Sequence, residues 1–151
     1  KFDGINIPIL APFYVKDELY NSFVENDDVK HVLLLWEKLD KAVVGIGSEF
    51  SVTPLMELDV LNKEDFARLL NFRQVGDILT HYFNIKGEFC QLDIYENLIN
   101  LPADSLQKIE EVIAVAGGSD KVESIIGALR TGLIDTMVLD NVVAERIIKR
   151  L

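Results

Sequence analysis

The stretch Val112-Ile113-Ala114-Val115-Ala116-Gly117-Gly118-Ser119-Asp120-Lys121 decides how this chain folds. A short apolar, β-branched run ends in two glycines, and a helical pattern with a lysine in its first turn begins at once. Such a run bounded by turn signals reads as a buried strand. Glycines let the backbone turn sharply and approach a ligand closely. The opening of the following helix presents unpaired N–H groups and a partial positive charge, a setting that favours anions. A cation in that first turn opposes the helix dipole by roughly a few tenths of a kcal/mol, so Lys121 sits where propensity alone would not place it. A phosphate lying against the glycine turn accounts for it. A plain surface lysine, its charge partly cancelled by Asp120, accounts for it as well.

Working downstream, Val122, Ile125, Ile126 and Leu129 recur at helical spacing and Gly132 stops that helix. Residues 136–139 read as a strand, and Asp140 caps a last helix carrying Ala144, Ile147, Ile148 and Leu151. Strand, helix and strand within about 30 residues is the size of a parallel crossover unit. Working upstream, residues 102–104 open a short helix, and residues 82–89 form a hairpin turning near Lys86-Gly87. Residues 74–79 read as a strand interrupted by Gly76-Asp77. Asn62 caps a helix with Phe66, Leu69 and Leu70 on its apolar face, after a loop around Pro54. Residues 41–48 are a short buried strand breaking into glycines, and Asn26 caps a helix bearing Val29, Val32, Leu33 and Trp36. The apolar residues 4–10 are expected to form a first strand. Purely apolar strands alternating with amphipathic helices predict a parallel sheet covered on both faces. Ligands in such sheets lie beyond the carboxyl ends of the strands. Three breaks fall at that edge: Gly45-Ile46-Gly47-Ser48, Gly117-Gly118 and Asp140.

Composition narrows the function classes. The 151 residues, 49% of them hydrophobic, suit one domain with a substantial core. The net charge of −10 repels nucleic acid over most of the surface, and Lys149-Arg150 is too small a cluster to offset it. Cys90 is the sole cysteine, which leaves no disulfide framework and fits a cytoplasmic setting. No apolar run approaches the roughly 20 residues that a bilayer span needs. No metal or cofactor pattern is present, so none is expected. His31 and His81 each lack a histidine at ligand spacing and read as solvated or core side chains. The sequence starts at Lys1 rather than at a methionine, which points to a piece of a longer protein.

The ordered motifs VVGIGS at 43–48, VGDI at 75–78, AGGSDK at 116–121 and IIGALRTGLIDTMVLD at 125–140 resemble the effector-binding domain of the SorC family of bacterial sugar-operon regulators. The resemblance runs from residue 8 to the C-terminus. It implies an α/β fold, a three-layer αβα with a mostly parallel sheet. This is the architecture of the ribose-5-phosphate isomerase and glucosamine-6-phosphate deaminase group. It also implies a phosphorylated sugar as effector, no catalysis, a homo-oligomer, and DNA binding through a separate N-terminal helix-turn-helix module. On this reading residues 1–151 are the C-terminal portion of the effector domain, the helix-turn-helix module and a first phosphate loop lying upstream of Lys1.

Residue by residue, the resemblance assigns Gly45, Gly47 and Ser48 to the turn bordering the ligand cleft. It assigns Asp77 to sugar hydroxyls, and Gly117, Gly118 and Lys121 to the phosphate. A carboxylate suits hydroxyl donors, although a loop hydrogen bond explains Asp77 too, and capping explains Asp140. Two departures stand out. Phe72-Arg73-Gln74 replaces the small residues usual before Val-Gly-Asp, and Leu98 stands where relatives often carry arginine. The missing arginine argues against a doubly phosphorylated effector. The alternative is a sugar-phosphate isomerase or deaminase of the same fold group, with Asp77 or Asp140 as general base.

Overall fold

The computed structural model describes residues 3–150. Its helices are α1 (Asp17–Val24), α2 (Asp27–Trp36), α3 (Thr53–Glu57), α4 (Lys63–Phe72), α5 (Ala103–Leu106), α6 (Val122–Arg130) and α7 (Asn141–Ile148). Its strands are β1 (Lys41–Gly45), β2 (Gly47–Ser48), β3 (Gln74–Ile78), β4 (His81–Asn84), β5 (Glu111–Ala116) and β6 (Thr136–Leu139). No helix among the described residues is long and apolar enough to cross a membrane.

The strands form two sheets. β1, β5 and β6 are parallel in the order β1-β5-β6, so the run that opened the sequence reading is the central strand. β2, β3 and β4 form a separate antiparallel sheet. The predicted 41–48 strand is therefore two strands in two sheets, joined at Ile46. The crossover from β1 to β5 carries the whole antiparallel sheet.

Side-chain oxygens set three helix starts as the sequence predicts. Asn26 accepts from the amides of Asp28 and Val29, Asn62 from Asp65, and Asp140 from Val143. Gly132, at φ 73°, follows α6. Other expectations are corrected. Residues 4–10 form no strand; Ile5 and Leu10 are exposed, and no neighbouring strand accepts the segment. Apolar content cannot by itself supply the ladder partner a strand requires. Pairing begins just beyond, where Ile99 N–H donates to Phe13 O and Val15 N–H to Asn97 O. Pro54 lies inside α3 rather than in a loop, at a first-turn position that needs no N–H. In α7 the core face is Val143 and Ile147, while Ile148 is exposed; Leu151, expected on the same face, lies outside the described residues.

Two cores result. The larger joins Val44, Val112 and Ala114 of the parallel sheet to Ile125 and Ile126 of α6 and Val143 and Ile147 of α7, with Ile78 and Phe83 from the second sheet. The smaller packs Val52, Leu55 and Leu69 against Tyr82, Cys90, Leu92 and Leu98. The opposite face of the parallel sheet is bare: Val43, Val115 and Val138 are all exposed. Register places Gly45 beside Val115 and Val138 beside Val115, one continuous surface. Among the described residues these three valines stay uncovered, while the packing of helices on a parallel sheet matches the expected three-layer αβα fold.

Candidate functional site

The three parallel strands end at one edge, and their exits meet there. β1 leaves through Gly45-Ile46-Gly47, β5 through Gly117-Gly118, and β6 at Asp140. Lys121, at the end of a 3-10 turn over Ser119–Lys121, turns its ammonium inward and donates to Ile46 O at 2.7 Å. That bond ties the β5 exit to the junction between the two sheets. An ammonium has three donors, so two remain for another acceptor.

On the β1 side, Gly47 pairs with Asp77 and Ser48 with Gly76. A Cβ on Gly47 would stand 1.8 Å from Asp77 Oδ1, so only glycine fits over that carboxylate. Asp77 Oδ2 accepts from Thr80 N–H at 2.9 Å, the loop hydrogen bond weighed in the sequence reading. Its Oδ1 is buried without a hydrogen-bond partner among the described residues, as are Ser51 Oγ and Tyr82 Oη. Burial pushes the Tyr82 hydroxyl pKa up, and the nearby Asp77 charge adds to it. Gly45, by contrast, is exposed and faces open space.

On the β5 side, Gly118 takes φ 103° and ψ 133°. Its N–H donates to Asp140 Oδ2 at 3.0 Å, while Asp140 Oδ1 accepts from Val143 N–H at 2.9 Å. The Val143 amide first, then that of Gly118, hold the Asp140 carboxyl below its ordinary range. Asp140 is thus a helix cap that also fixes the glycine turn. The Gly118 amide points to that carboxylate rather than to the cleft, so Lys121 is the main cationic feature between the two turns.

All seven predicted residues therefore lie along one rim: Gly45, Gly47, Ser48 and Asp77 on one side, Gly117, Gly118 and Lys121 on the other. The Lys121–Ile46 bond joins the sides. Two features escaped the sequence reading. One is the buried Asp77–Ser51–Tyr82 polar cluster beneath β2. The other is a groove of ≈ 440 Å³ lined by Arg146 of α7, by Lys149 and Arg150 just after it, and by Ser119, Asp120 and Glu123. The 146, 149, 150 spacing, which stacks on one helix face, was its available signal. His81 is buried with Nε2 2.9 Å from Leu101 O, and His31 is exposed, the core and solvated roles expected of them. Burial pushes the Cys90 thiol pKa up, which disfavours the thiolate.

The Sugar-bind family model, described as "Putative sugar-binding domain", matches residues 1–149. The transcriptional regulator LsrR of Escherichia coli O139:H28 is 34% identical over 150 residues, covering 97% of this chain and 47% of its own length. The deoxyribonucleoside regulator of Bacillus subtilis is 31% identical over 129 residues, covering 85% and 41%. Among solved structures, the "Putative Sugar-Binding Domain of Transcriptional Repressor from Vibrio fischeri" has a TM-score of 0.80 and 32% identity. It covers 94% of this chain and 57% of that one. The chain spans about half the length of the curated relatives it matches. These relatives are regulators, not enzymes, and the isomerase or deaminase alternative is set aside.

Proposed function

The chain belongs to the Sugar-bind family, and on that premise we propose that it is the effector-sensing part of a bacterial transcriptional regulator. Its effector is a phosphorylated sugar bound at the strand-end rim. The sugar hydroxyls face Asp77 and the Gly45–Ser48 turn, and the phosphate lies between Lys121 and the Gly117-Gly118 bend. The observation that carries this reading is the Lys121 ammonium held 2.7 Å from Ile46 O, between two glycine turns of a protein of net charge −10. A cation kept at the junction of two close-approach turns is the arrangement an anion recognises.

No step of chemistry is assigned. The ligand acts by binding one state of a cytoplasmic homo-oligomer more tightly than another, and a separate helix-turn-helix module reads out the difference on DNA. The portion upstream of these residues supplies that module and the rest of the cleft.

A thermal-shift panel on the intact protein tests the reading. A sugar phosphate at about 100 times its Kd adds about 2.7 kcal/mol of stability. The matching unphosphorylated sugar is expected to add much less, and Lys121→Ala to remove most of the difference. No shift from any phosphorylated sugar, or equal shifts from phosphorylated and free forms, would overturn it.

A further inference from the structure

The antiparallel sheet carries a groove of ≈ 510 Å³ that takes no part in the rim. Phe50, from a 3-10 turn over Glu49–Val52, and Met56 of α3 form one wall, and Phe66 and Leu70 of α4 form the other. Phe50 is 66% exposed and Leu70 63%. Large apolar side chains that stand this far into water on facing walls mark a surface made to be covered. Two charged residues line the groove, Glu49 and Arg73, of opposite sign. The two charges cancel within the groove, on a molecule whose net charge of −10 disfavours self-association in general.

Arg73 holds its place against its backbone. It closes α4 at φ 55° and ψ 52°, the left-handed position where glycine is the unstrained residue. Its amide still donates to Leu69 O and Leu70 O, the helix-ending pattern that glycine would also make. Glycine would close this helix end without strain, so the turn itself does not call for the Arg73 side chain.

We propose that this groove is a two-fold interface with a second copy of the chain. In an isologous contact each residue meets its counterpart's partner, so Glu49 faces the partner's Arg73 and Arg73 faces the partner's Glu49. The apolar walls interleave between the two ion pairs. The inference rests on the proposed oligomer alone and is independent of what binds at the strand ends.

Sedimentation equilibrium of the intact protein, without effector, tests it. Glu49→Arg and Arg73→Glu are each expected to weaken self-association about tenfold or more. The double variant, which reverses both charges, is expected to restore it to within a few-fold. Arg73→Gly is expected to raise Tm, because the strain is relieved, while weakening association. Single variants that associate like the parent overturn the proposal. So does a double variant no better than either single, which is the result if a peptide or small apolar ligand is the occupant. Sugar-phosphate shifts measured on the same variants keep the two readings apart. Loss of those shifts with the charge-reversal pattern intact condemns the ligand assignment and leaves the interface standing.

Discussion

Gly45 and Gly47 are two residues apart and answer to opposite demands. A Cβ at Gly45 meets nothing within 4 Å, whereas one at Gly47 strikes Asp77 Oδ1 at 1.8 Å and Ser51 Cβ at 3.0 Å. Gly47→Ala is expected to displace Asp77, break its bond from Thr80 N–H and lower stability by about 1–3 kcal/mol in chemical denaturation. Gly45→Ala is expected to leave stability unchanged and to weaken sugar-phosphate affinity, because only the approach of the ligand is obstructed. Equal losses of stability in the two variants would contradict this division. Asp140 gives a pH prediction at the same scale. Its folded-state pKa lies below the unfolded value of about 3.9. Its contribution is therefore present above that value and is lost as pH falls through the lower folded one. Asp140→Asn is expected to flatten part of the acid limb of a Tm–pH curve below pH ~4. An unaltered limb would mean that the two amide bonds contribute nothing to the linkage.

At the scale of elements, α4 is pinned by a residue that composition hides. Asp65 is fully buried. Its oxygens accept from the Asp93 and Ile94 amides, each at 3.1 Å, and from Arg68 at 3.3 Å. The carboxylate thus anchors the start of α4 to the segment after β4. Asp65→Ala leaves two amides without their acceptor and is expected to cost about 3 kcal/mol, measured by urea unfolding. Asp65→Asn, which keeps one carbonyl acceptor, is expected to cost less. Elements announced by local chemistry could be read in advance. Asn26, Asn62 and Asp140 carry the capping oxygen at the right place, and the β-branched run before Gly117 is short and bounded by turn signals. Elements that depend on distant partners could not. Residues 4–10 look like a strand but find no edge to join. Lys16, which precedes α1, offers no capping oxygen, so that helix left no mark. The β3–β4 turn runs through Leu79 and Thr80 at φ 50° and 64°, where the usual signal would be glycine or asparagine. The site divides in the same way. Its glycine turns were visible because turning requires glycine, whereas the Lys121 acceptor is a main-chain carbonyl 75 positions away, which no side chain announces.

On the scale of the whole molecule, the parallel sheet has one dressed face and one bare face. Val43, Val115 and Val138 are 71%, 47% and 49% exposed, a continuous apolar stripe across all three strands. Expressed by itself, the 151-residue chain is expected to bind a hydrophobic dye there. Changing the three valines to threonine, which keeps β-branching, is expected to lower the dye fluorescence with little change in Tm. Fluorescence that survives the triple change would place the dye elsewhere, the α3–α4 groove being the next candidate. The stripe and the groove lie on different sheets, so each can be altered without changing the other.

The Lys121 tether makes the rim and the second sheet a single balance. Any anion that draws the ammonium toward itself competes with a carbonyl belonging to the hinge between the sheets. Ligand capture and the seating of β2 then draw on the same ammonium, so a change at the mouth of the cleft is felt at the junction of the two sheets without a chain of intermediaries.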